Sequence, residues 1–212
     1  MSRFQFLASA IYVLAFLLLI AVFAVGSVYE IPFHYFTADP AYTHKFHPFT
    51  GILSNIGIIL WCVSLTCCCF SSVVIWKSQK MESRFLLLSG MVTAILLLDD
   101  FFMFHDYVLI YFFSKYFSVQ PVVYLLYGVI MVIWGLRFLK LFKKTKYYFL
   151  VLAVFFFAGS ILLDIILPSA GLQYFFEDSF KFLGIVSWTI YFSVTSFEFI
   201  KPKPESPNIG NG

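Results

Sequence analysis

Charge is scarce in this chain. Only 12% of its 212 residues are Asp, Glu, Lys or Arg, while 61% are hydrophobic, and soluble domains carry about twice that charge. A water-soluble fold cannot hide so much apolar surface, so lipid is the solvent that fits. Cysteine is scarce too, and all four (Cys62, Cys67, Cys68 and Cys69) fall in one apolar stretch. None has the CxxC spacing of a metal site. They read as small packing residues, with palmitoylation of the Cys67–Cys69 run as the alternative. No basic run stands outside the apolar context, which excludes a nucleic-acid partner.

What the chain has in plenty is long apolar runs and aromatics, 29 Phe and 13 Tyr among them. Crossing the hydrocarbon takes about 20 mostly apolar residues. Six stretches qualify, at residues 5–28, 51–76, 85–113, 120–142, 147–167 and 179–200. The expected fold is therefore all-α, a polytopic bundle of about six spanning helices forming one domain over residues 1–200. Arg3 before the first run resembles a signal peptide, but the run exceeds the usual apolar length and reads as an uncleaved anchor. The tail from residue 201, KPKPESPNIGNG, is polar and rich in Pro and Gly, so it reads as disordered.

The basic residues give the orientation. Arg3, Lys77, Lys80, Arg84, Arg137, Lys140, Lys143, Lys144, Lys146, Lys201 and Lys203 fall on one side. Lys45, Lys115 and Lys181 fall on the other, eleven against three. The rich side is expected to be cytoplasmic, with both termini inside.

On that topology the intramembrane acids gather at one depth. The third stretch runs outward from Arg84. A rise of 1.5 Å per residue puts Asp99 roughly 22 Å and Asp106 roughly 33 Å along it. Asp164 sits near the outer end of the fifth stretch. Glu177, Asp178 and Lys181 lie at the outer mouth of the sixth, and Ser54 and Asn55 in the outer turns of the second. On a straight helix Asp99, Met103 and Asp106 share a face, with Asp100 and His105 to either side.

Ionisable groups at this depth are costly and suggest a site. Asp99, Asp100, His105, Asp106 and Lys181 are the candidate catalytic residues. Asp99, Asp106, His105, Glu177 and Asp178 are the candidate ligands of a divalent metal, Zn, Mg or Mn. Ser54, Asn55 and Asp164 are further polar lining. His44 and His47 have a spacing compatible with metal binding, though surface roles suit the loop histidines, His34 included, better.

The segments FTADPAYTHKFHPFTGILSNIGIILW, LLLDDFFMFHD and FEDSFKFLGIVSW together resemble an uncharacterised family of bacterial multi-pass membrane proteins, which implies the inner membrane and no stated activity. SNIG at Ser54–Gly57 and LDDFFM at Leu98–Met103 also resemble, more faintly, the ceramidase-like membrane hydrolases. Those carry a late HxxxH that this chain lacks, so Glu177 and Asp178 would have to replace the missing zinc ligands.

Three functions stay open. One is a metal-assisted hydrolase or lipid-modifying enzyme acting on a membrane lipid or a small molecule. Another is an accessory subunit whose polar groups lock the bundle. The last is a proton- or cation-coupled transporter.

Overall fold

The computed structural model describes residues 3–32, 36, 45, 47, 49–116, 119–166 and 171–201. His34, His44 and the tail beyond Lys201 lie outside them. The chain divides into two compact units, residues 1–50 and 51–212.

The first unit holds α1, Arg3–Val28, a helix of 26 residues. The described His47 sits beyond it, exposed, with Nδ1 accepting the Phe49 N–H at 3.3 Å.

The second unit is a helical bundle. Its helices are α2 (Ile52–Ile75), α3 (Lys80–Phe102), α4 (Leu109–Phe113), α5 (Val119–Phe142), α6 (Tyr148–Ile166) and α7 (Gly171–Ile200), with one π-helical turn at Phe104–Val108 between α3 and α4. Five of them, α2, α3, α5, α6 and most of α7, are long and apolar enough to cross a membrane. That makes the chain a multi-pass membrane protein. Helices suit the task because lipid leaves no water to satisfy a backbone N–H or C=O. Pro121 sits in the first turn of α5, where its missing N–H costs nothing.

The tightest packing is α6 on α7, α2 on α3 and α2 on α7, and α5 joins through α3. Small and hydroxylated residues form the inward faces. The buried face of α2 runs Gly57, Trp61, Ser64, Cys68, Ser71 or Ser72, Ile75, a spacing of three and four that keeps one helical stripe facing inward. Between lipid-solvated helices the hydrophobic effect supplies little, so close backbone approach and hydrogen bonds hold the interfaces. Several such bonds are present. Ser64 Oγ meets Thr189 Oγ1 at 2.9 Å, Trp188 Nε1–H donates to Thr93 Oγ1 at 3.1 Å, and Trp134 Nε1–H donates to Ser89 Oγ at 3.1 Å. Cys68 is fully buried and all four cysteines are free thiols.

The aromatic core gathers around Trp188 and Phe85, both fully buried. Trp188 contacts the rings of Trp61, Trp134 and Phe192. At the α6–α7 crossing two glycines accept two rings. A Cβ on Gly159 would lie 2.5 Å from the Phe180 ring, and one on Gly184 would lie 2.6 Å from Phe157.

The expected span at 85–113 is not one straight helix. α3 stops at Phe102, and Met103 takes a left-handed conformation (φ 50°, ψ 47°). The angular placement of Asp99, Met103 and Asp106 on one face therefore does not carry across residue 103. The physical reason lies in the side chain of Asp99.

Candidate functional site

Asp99 lies in the last turn of α3, and both of its oxygens are committed to His105. Oδ1 accepts the His105 backbone N–H at 3.1 Å, and Oδ2 meets the ring Nδ1 at 2.5 Å. In an unbroken helix that backbone N–H would bond to the carbonyl four residues earlier. The carboxylate replaces that carbonyl, which lets the chain leave the helix at Met103. The ladder then resumes around Met103, whose carbonyl accepts from both Tyr107 and Val108 at 2.8 and 3.2 Å. Tyr127 of α5 stands beside Asp99. Asp99 and His105 are both buried, at 6% and 8% exposure.

Asp100, one residue on, faces different partners. Its Oδ1 is paired with Lys181 Nζ of α7, and its Oδ2 accepts the Trp61 Nε1–H of α2 at 3.0 Å. Three helices thus meet at one carboxylate. Asp100, Lys181, Asp178 and Ser54 line a small cleft together with Leu53, Phe182 and Ile185, of about 40 Å³. One water needs roughly 10–15 Å³ of such space, so the enclosed part of the cleft has room for a few waters.

The other candidates are placed less centrally. Asp164 of α6 accepts from the Tyr124 hydroxyl at 3.3 Å, and the Tyr124 ring lies 5.5 Å from that of His105. Glu177 is half-buried on α7 and Asn55 is exposed on α2; neither lines the cleft. The side chain of Asp106 lies outside the described residues. Among the described residues no group of three or more His, Cys, Asp or Glu is arranged to hold a metal ion. Asp99 is turned to His105 and Asp100 to Lys181, so the two acids do not present a joint ligand set.

Sequence reasoning missed Trp61, Tyr124 and Tyr127. Each is a polar-tipped aromatic in an apolar run, a pattern that equally suits an interfacial anchor. A signal did exist, since a buried acid needs a donor and buried indole and phenol groups need an acceptor.

The chain belongs to the family described as Domain of unknown function (DUF8692), whose model matches residues 10–195. No curated protein and no solved structure matches it.

Proposed function

We propose that this member of the DUF8692 family is a bacterial inner-membrane scaffold or accessory protein with both ends cytoplasmic, whose polar cluster in the outer half of the bilayer locks the bundle. One observation carries this reading: each described acid of the cluster's core is held by a specific partner from a neighbouring segment. Asp99 is held by His105, Asp100 by Lys181 and Trp61, and Asp164 by Tyr124. Pairing of this kind is how a membrane interior tolerates charge.

The test is thermal unfolding in detergent. Asp100→Asn leaves Lys181 facing a neutral amide. Breaking a fully buried pair costs about 3–5 kcal/mol. Lys181 is 37% exposed along its side chain, so about 1–3 kcal/mol is expected here. Asp100→Asn combined with Lys181→Met removes both charges and should recover part of that loss, a coupling a double-mutant cycle reads directly. Additive losses would sink the lock.

A second reading, metal-assisted hydrolysis, draws support from the Asp99–His105 pair. A carboxylate on Nδ1 fixes the tautomer and orientation of an imidazole that works through Nε2. In that arrangement Asp99 orients His105 rather than binding the ion itself. Divalent ions that raise the melting temperature of the wild type but not of Asp99→Asn would favour this reading. Loss of stability in Asp99→Asn with no ion effect in either protein would leave the lock.

A further inference from the structure

The opposite end of the bundle carries far more cations than acids. Phe85, in the second turn of α3, draws three chain segments together there. Its ring contacts Phe138 and Phe142 near the end of α5, at 5.1 and 5.6 Å, and Phe199 near the end of α7, at 6.4 Å. Each segment brings basic residues with it. Arg84 precedes Phe85 and Lys201 follows α7. Arg137 and Lys140 occupy the last two turns of α5, and Lys143 and Lys144 follow it, all six exposed. The described acids at this end are Glu82 and Glu198, and Glu198 already holds Lys146 at 3.0 Å.

The inward face of α5 is Trp134, Phe138 and Leu141. At 100° per residue Arg137 borders that face and Lys140 lies about 60° further round, away from it. The apolar surface running along the helix on the same side, Leu126, Val129, Ile133 and Leu136, is exposed at 54%, 46%, 63% and 65%. A row of cations above an uncovered apolar stripe matches a molecule with an anionic head and hydrocarbon tails.

We propose that this end of the bundle binds anionic phospholipid, its phosphate held by Arg137 and Lys140 with help from the neighbouring cations, and its acyl chains lying along α5. Arg is suited to the phosphate because its planar fork donates two hydrogen bonds at once. The other cations raise the local potential without needing direct contact. The inference rests on the charges and the exposed stripe, and it holds whichever way the chain is oriented.

The experiment is native mass spectrometry of the full chain in detergent, titrated with phosphatidylglycerol and, separately, phosphatidylcholine. The wild type should retain phosphatidylglycerol preferentially, and the preference should fall as salt rises. Arg137→Gln with Lys140→Gln should weaken that retention about thirtyfold, while the charge-conserving Arg137→Lys with Lys140→Arg should keep most of it. If the glutamine variant does not fold, Lys143→Gln with Lys144→Gln, in the turn outside the helix, should lower retention in the same direction. Equal retention of the two lipids by the wild type would overturn the proposal. So would undiminished retention in the folded glutamine variants, or displacement of the lipid by millimolar glycerol phosphate, which would mark a site for a soluble phosphate ester.

Discussion

Met103 has a backbone that L residues adopt reluctantly, with φ at 50°. A left-handed conformation costs a residue with a Cβ roughly 1–2 kcal/mol. It persists here because Asp99 captures the His105 N–H and ring on the far side of the break. Strain held in place by its surroundings often accompanies function, and the neighbouring π turn is of the same kind. Met103→Gly removes the Cβ and should raise stability by up to about 1 kcal/mol. Met103→Val, β-branched, should lower it by about 1–2 kcal/mol. Thermal melts of the two variants check this, and a glycine variant less stable than wild type would mean that the Met103 side chain contributes packing outweighing the strain. None of this could be read from DDFFMFHD, which contains neither Gly nor Pro to announce a break. The acids were legible as costly groups. Their division into one acid for His105 and one for Lys181 depends on a bend that only the folded chain reveals.

At the scale of helices, the fold was legible wherever apolar length decides the outcome. The stretch expected at 147–167 is α6 at Tyr148–Ile166, and that at 120–142 is α5 at Val119–Phe142. α7 begins at Gly171, earlier than the expected start at 179, because the polar residues Glu177 and Asp178 are accommodated within the helix. Which helices touch was less legible, since a stripe of small and hydroxylated residues such as that of α2 marks an inward face but does not name the helix that covers it. The packing of α6 on α7 depends instead on Gly159 and Gly184. Gly159→Ala or Gly184→Ala would push a methyl into a phenylalanine ring. Each should cost about 1–3 kcal/mol as overpacking, read as a lower melting temperature, and Gly184→Ala combined with Phe157→Leu should recover part of the loss. The turn before α6 gives a pH test. The hydrogen bond and charge of Glu198 hold the Lys146 ammonium above its ordinary pKa of 10.5. A folded-state value above the unfolded one means that the pair's contribution is fully present below pH 10.5 and is lost as pH rises through the raised value. Lys146 is exposed, so the effect is small and screened by salt. Lys146→Met should flatten that part of the alkaline unfolding curve, and an unchanged curve would show that the pair contributes nothing.

For the whole molecule the decisive property is which end faces the cytoplasm. Of the described cations in the second unit, all but Lys115 and Lys181 collect where α2 meets α3, where α5 meets α6, and where α7 ends. Asp99, Asp100 and Asp164 sit toward the other end of the same helices. Moving a basic segment across a bilayer is disfavoured, and short loops rich in Lys and Arg stay on the cytoplasmic side. The turn at Lys77–Lys80 and the turn at Lys143–Lys146 join long apolar helices through a few residues, so both fall within the range where the rule applies. Reporter fusions after Lys144 and at the C-terminus should therefore read as cytoplasmic, and fusions after Ser114 and after Leu172 as external. The two pairs test different things. An external reading at Lys144 with a cytoplasmic one at Ser114 would invert the bundle and place the Asp99–His105 and Asp100–Lys181 network at the inner face. Identical readings at Ser114 and Lys144 would mean that α5 does not cross at all. That outcome would be hard to reconcile with a 24-residue apolar helix carrying its cations at one end only. The expected alternation would fix the polar network in the outer half of the bilayer and the cationic end against the cytoplasmic leaflet, where anionic lipid is available to it.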